Sequence, residues 1–290
     1  MLHKNTSLII GADGLIGNTL SRYLISQNEE IIETTRHLHT CTTSRIFLNL
    51  SDEKIDNWNP PSGVSVVYIC AAVTSLEECR KDPHRSELVN VHNMIKIAHK
   101  CMKNGIFVIF LSTSSVFDGT LSHRKITDQP SPKTEYGRQK AEAERRLQLL
   151  NGECAIVRLT KVIDPDTPLI IGWIDTLKSN NRIYPLSDYV MAPISLKTVV
   201  ECLYGIAQLK LRGIHHISAP NDISYAEAAF HIARRCNIDP SMVSLMKVSD
   251  SNIFLENNPS YTTLDTSVIR NKIGIEIPDA FTVIDEVFFQ

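Results

Sequence analysis

Short, nearly continuous apolar runs alternate with longer amphipathic stretches through the first half of the chain. Residues 8–10, 31–35, 45–50, 64–70, 106–111 and 154–159 are rich in β-branched and other apolar residues and predict strands. Between them, residues 16–27, 83–104 and 134–150 predict helices. Leu20, Tyr23 and Leu24 share one face of the first, and Leu88, Val91, Met94, Ile95 and Ala98 form the stripe of the second. Gly105 stops that second helix, and Ser51-Asp52-Glu53-Lys54 predicts a capped helical turn. Strands apolar on both faces, separated by helices, indicate an α/β fold: a Rossmann-type doubly wound parallel sheet spanning residues 1–160. The rhythm changes after residue 160. Residues 172–178, 194–209 and 225–236 predict helices and 214–218 a short strand, while 164–168 and 246–264 read as loop. Residues 161–290 are therefore expected to form mainly a smaller substrate-binding region, with some segments returning to the Rossmann core.

Composition narrows the function. Of the 290 residues, 43% are hydrophobic and 21% charged, as in an ordinary globular protein. A formal net charge of -2 gives no footprint for a nucleic-acid or anionic-membrane partner. No apolar run is long enough to span a bilayer, and residues 1–6 lack the pattern of a signal peptide. The seven cysteines contain no CxxC and read as reduced thiols of a cytoplasmic protein. His37 with His39, and His215 with His216, lack the further ligands a metal site needs, so no metal is expected.

Two stretches carry chemistry. Directly after the first apolar run stands Gly11-Ala12-Asp13-Gly14-Leu15-Ile16-Gly17, spaced GxxGxxG. Gly11 permits a tight turn, Gly14 lets backbone approach a pyrophosphate, and Gly17 allows close helix–sheet packing. The phosphates would rest on the helix N-terminus, with Asp13, Leu15 and Ile16 completing the cofactor-binding turn. NAD sites usually carry an acid at the tip of the second strand. Here the tip reads Thr34-Thr35-Arg36. Thr35 and Arg36 in that place favour NADP over NAD, since a guanidinium suits a 2′-phosphate.

The second stretch is Tyr136-Gly137-Arg138-Gln139-Lys140, preceded by Ser112-Thr113-Ser114 at the end of an apolar run. A helix puts Tyr136 and Lys140 on one face. An ammonium beside a phenol eases proton transfer, and the Thr113 hydroxyl can hold the oxygen that receives the proton. A hydride to carbon with a proton to oxygen is nicotinamide-dependent carbonyl chemistry, so Thr113, Tyr136 and Lys140 form the expected catalytic set.

With GADGLIG (11–17), AAVTSLEECRKDP (71–83), LSTSSVFDG (111–119), EYGRQKAEAE (135–144) and VRLTKV (157–162), the chain resembles an extended short-chain dehydrogenase/reductase. Within that superfamily it is most similar to the dTDP-4-dehydrorhamnose reductases and related nucleotide-sugar 4-ketoreductases. The resemblance implies that Ala71, Ala72, Val73 and Leu111 line the cofactor, that Asn49 and Leu50 touch the adenine, and that Asn90 supports the nicotinamide side. Tyr136 and Lys140 would touch the cofactor as well as the substrate. It implies that Thr74 and Ser114 face the sugar, and it leaves a homodimer open. Two stretches depart from the family's pattern. Ser114-Ser115 stands where Asp and Tyr are usual, and Lys161 where a Trp is usual. Lys161 would either meet a group on a different sugar or point to solvent. Two other readings stay open on the same fold: an epimerase, and a non-catalytic nucleotide-binding regulatory subunit.

Overall fold

In the computed structural model the described residues are 6–53, 55–251 and 254–289. Residues 1–5, read above against a signal peptide, and Lys54 of the expected turn lie outside them. The chain divides into two compact units.

The first unit holds the chain through residue 116, together with 130–158 and 199–215. Its strands are β1 (Thr6–Ile10), β2 (Glu30–Thr35), β3 (Arg45–Phe47), β4 (Val64–Ile69) and β5 (Phe107–Thr113). With β6 (Cys154–Leu159) and the later β10 (Gly213–Ile217) they form a seven-stranded sheet, ordered β10-β6-β5-β4-β1-β2-β3. β1 pairs in parallel with β2 and β4, β2 with β3, and β4 with β5. Every residue of β5 is buried, as the apolar run Phe107–Leu111 requires for a strand covered on both faces, and the polar Ser112 and Thr113 that end it are buried too. Leu8, Ile69, Val108, Phe110 and Ile156 pack with the helix residues Ile97, Ala98 and Leu147. Each such large side chain contributes about 1.5–3 kcal/mol by leaving water.

Helix α1 (Leu15–Ser26) runs from the glycine turn, and Asn28, in the left-handed region at φ 61°, follows its end. Helix α5 (Glu135–Leu149) starts at Thr134, whose side chain accepts the Gly137 N–H.

Three expected elements differ. The strand over 45–50 stops at Phe47, because Asn93 takes the Leu50 carbonyl and Asn49 accepts the Ser51 N–H, turning the chain away from the sheet. The helical turn expected at Ser51 forms instead at Ile55–Asn57. The single helix over 83–104 is an assembly. After α2 (Leu76–Lys81) come α3 (Pro83–Glu87), capped by Asp82 with Pro83 at its first position, a wide π-helical turn (Leu88–Asn93) and α4 (Met94–Lys103).

The second unit holds 117–129, 159–198 and the chain from 216 onward. β7 (Lys161–Ile163) pairs in parallel with β9 (Pro193–Ser195), and β8 (Val190–Met191) runs antiparallel to β11 (Ile223–Ser224). Helices α6 (Pro168–Lys178), α8 (Tyr225–Arg235) and α10 (Ala280–Phe288) enclose a core that includes Ile170, Trp173, Ile232, Val283 and Ile284. A Ser224–Glu227 capping box starts α8. Helix α7 (Leu196–Gln208) precedes β10, and α9 (Ser267–Ile273) precedes α10. No helix among the described residues is long and apolar enough to cross a membrane.

Candidate active site

Three backbone choices build the first half of the site. Gly11 lies at φ +92°, and a Cβ there would stand 2.7 Å from the Ala71 nitrogen, so the turn out of β1 tolerates no side chain. A Cβ on Gly17 would collide with the Gly11 carbonyl, which is what lets α1 start hard against the strand. A Cβ on Gly14 would meet nothing nearer than the Gly11 oxygen at 3.5 Å, so the space before it is open to a ligand. Helix α1 has no side-chain cap and no acid in its first turn. Its leading N–H groups and dipole are thus offered to an anion, which fits the pyrophosphate of a dinucleotide. Leu15 is exposed and Ile16 half-buried on that first turn.

Beside the turn, the Asp13 carboxylate accepts the Thr35 hydroxyl at 2.9 Å and the Arg36 backbone N–H. Arg45, reaching over from β3, gives one terminal nitrogen to Asp13 and the other to Glu33 at 2.6 Å. Partial burial alone would raise the Asp13 carboxyl. The Thr35 hydroxyl, the Arg45 charge and the Arg36 N–H together hold it below the ordinary carboxylate range. Arg45 has no role in the sequence reading. Its one visible signal is a cation opening a short strand whose partner residue is Glu33.

On the other side of β1, Ala71 donates its N–H to the Ile10 carbonyl, and Ala72 follows it, half-buried. Asn90 sits within the π-helical turn. Its side chain accepts the Val73 N–H at 2.8 Å and donates to the Val73 carbonyl at 2.9 Å. It also donates to Gln139 on α5 at 2.8 Å. Asn90 thereby ties the loop after β4 to the helix that carries Tyr136. Asn49 and Leu50 sit in the turn that Asn93 anchors. Thr74 is exposed and Ser114 half-buried.

The catalytic candidates lie in the same unit. Thr113 ends β5, and its hydroxyl accepts the Ser115 N–H at 3.1 Å. A Cβ on Gly137 would collide with the Ser115 carbonyl, so glycine at the third position of the helix lets α5 approach the loop that follows Thr113. Tyr136 is half-buried, and its apolar surroundings, with a smaller push from Cys79, raise its hydroxyl above the ordinary value. Lys140 is buried, donates to the Leu111 carbonyl at 2.6 Å and stands 4.2 Å from the centre of the Phe110 ring. Burial draws its pKa down to about 8, while the Glu144 carboxylate acts in the opposite direction.

Behind Lys140 is a buried ion pair that sequence reasoning missed. Arg158 on β6 donates from Nη2 to Glu144 at 2.6 Å and from Nε at 3.0 Å, and Ser112 donates to the same carboxylate. Two signals were available. Glu144 lies four residues beyond Lys140, on the same helix face, and Arg158 is the one charged residue in an otherwise apolar strand. Lys161 opens β7 in the second unit, with its side chain exposed. Among the described residues no cluster of His, Cys, Asp and Glu could hold a metal ion.

A curated relative, the probable low-salt glycan biosynthesis reductase Agl14 of Haloferax volcanii, is 24% identical over 285 residues, covering 94% of this chain and 93% of its own. The methionine adenosyltransferase 2 subunit beta of Xenopus tropicalis is 26% identical, covering 93% of this chain and 82% of its own. The crystal structure of dTDP-4-dehydrorhamnose reductase from Bacillus anthracis, in complex with NADP, superposes with a TM-score of 0.86 at 18% identity and covers 98% of each chain. The sequence matches the RmlD substrate binding domain family over residues 5–288, nearly its whole length, and the chain belongs to that family.

Proposed function

We propose that this protein is a nicotinamide-dependent reductase of a keto group on a nucleotide-activated sugar, working in the synthesis of polysaccharide or glycoconjugate precursors. The observation that supports this reading is that Thr113 ends β5, that Lys140 is anchored on the Leu111 carbonyl of the same strand, and that Tyr136 lies one helical turn before Lys140 on α5, in the unit that also holds the uncapped N-terminus of α1, suited to a dinucleotide.

The cofactor supplies the hydride. The chain's residues handle the proton. Tyr136, protonated at neutral pH as a phenol is, donates its hydroxyl proton to the ketone oxygen. The ammonium of Lys140, anchored on the Leu111 carbonyl, stabilises the phenolate that remains. The Thr113 hydroxyl donates a hydrogen bond to the same substrate oxygen and steadies its developing charge. Thr74, Ser114 and Lys161 are the proposed sugar contacts. A cytoplasmic location and a homodimer belong to the same proposal.

Reduced cofactor oxidation should be followed with a panel of nucleotide-linked keto sugars. Substrate-dependent oxidation by at least one of them is the expected result. The name of the Xenopus tropicalis relative favours one second reading, a regulatory subunit. Tight cofactor binding with no turnover of any keto sugar would support that reading instead.

A further inference from the structure

From the sequence alone, Arg36 and the missing acid at the tip of β2 favour NADP. The structure supplies an acid there from another segment. Asp13 belongs to the glycine turn, yet its carboxylate is bonded to Thr35 and to the Arg36 N–H, the last residues of β2 and its exit. That is the place from which an acid conventionally accepts the adenine ribose 2′-hydroxyl.

We propose that Asp13 is the residue that reads the adenine ribose, and that it makes the protein select NADH over NADPH. The inference rests on the dinucleotide-binding reading above, and it concerns which of the two forms is bound.

Three features support it. The Asp13 side chain is 29% exposed, so the carboxylate keeps a face open to a ligand hydroxyl while its other contacts fix its direction. Arg45, the cation bonded to Asp13, is not free to meet a 2′-phosphate, since both its terminal nitrogens are held by carboxylates, Asp13 and Glu33. A 2′-phosphate at this point would lie against one ionised carboxylate, with a second carboxylate just behind the shared guanidinium. It would gain Arg45 only by displacing Asp13 from it. A neutral ribose hydroxyl meets no such conflict, because it donates to Asp13 and leaves the Arg45 bridge intact. Arg36 contributes its backbone N–H to Asp13, a contact that does not need its side chain.

The test is equilibrium titration of the full-length protein with NADH and with NADPH, without substrate, read by nicotinamide fluorescence. The wild type should bind NADH at least about tenfold more tightly than NADPH, the scale of one unfavourable charge contact. Asp13→Asn keeps the shape and removes the charge. It should tighten NADPH and shrink the NADH preference at least about tenfold, with the melting temperature as a check on folding. A wild type that binds NADPH as tightly as NADH or tighter overturns the proposal, whether or not the variant folds. So does an Asp13→Asn protein with an unaltered ratio. Failure to bind either form overturns this inference and the proposed function together. Selective NADH binding without turnover of any keto sugar would overturn only the reductase reading.

Discussion

Lys140 shows how much the site depends on single residues. An ammonium buried beside Phe110 is held by one carbonyl and a nearby carboxylate, and its pKa falls to about 8 from an ordinary value near 10.5. The unfolded chain therefore binds more protons than the folded one between those two pH values, so stability rises with pH across that window. Below pH 8 the full penalty is present, on the order of 3 kcal/mol. Lys140→Met removes the titrating group. Thermal melts from pH 7 to pH 10.5 should show the wild type gaining on Lys140→Met by up to that amount, and a pH-independent difference would contradict the buried-ammonium account. Tyr136, Lys140 and Thr113 were legible in the sequence because the i, i+4 spacing and the end of an apolar run are local signals. The Asp13–Arg45–Glu33 bridge was not. It exists only because β3 pairs with β2 and brings a side chain from residue 45 across to residue 13, which no local pattern records.

At the scale of elements, α5 is pinned from behind. Glu144 joins it to Ser112 on β5 and Arg158 on β6, with 2% of either ionic side chain exposed. Breaking one partner of a buried pair leaves an uncompensated charge and costs about 3–5 kcal/mol. Glu144→Leu should lose stability on that scale in denaturant melts, whereas the Glu144→Leu/Arg158→Met double variant should recover most of it. A single variant as stable as the wild type would show that the bridge does not hold the helix. Strands β1, β4, β5 and β6 were readable because each is built on a mostly apolar run, broken only by Ser65 in β4 and Arg158 in β6 and by polar residues at the ends of β1 and β5. The stretch 83–104 was only partly so. Its apolar stripe continues through Leu88–Asn93, but the backbone there widens to a π turn that aims Asn90 at Val73 and Gln139. Hydrophobic spacing cannot distinguish that turn from regular helix. Helices α9 and α10 escaped notice because the first spans just seven residues and loop chemistry separates the two.

For the whole molecule, the parallel sheet was visible along the chain, as was the order of glycine turn, Thr113 and Tyr136-Lys140, and membership of the RmlD substrate binding domain family agrees with the fold. The weave between units was less visible. Residues 117–129 belong with the second unit and 199–215 with the first, an arrangement set by tertiary packing rather than by composition at any boundary. On the proposed function, the second, irregular unit would select the sugar, and Lys161, which departs there from the usual pattern, is one proposed contact. The central claim is that Tyr136 gives its proton to a substrate ketone. Tyr136→Phe keeps the ring and removes the donor. On a keto-sugar nucleotide turned over by the wild type, kcat should fall by about two decades or more, while cofactor affinity and melting temperature stay near the wild-type values. A Tyr136→Phe protein with near-wild-type kcat on that substrate would contradict the account.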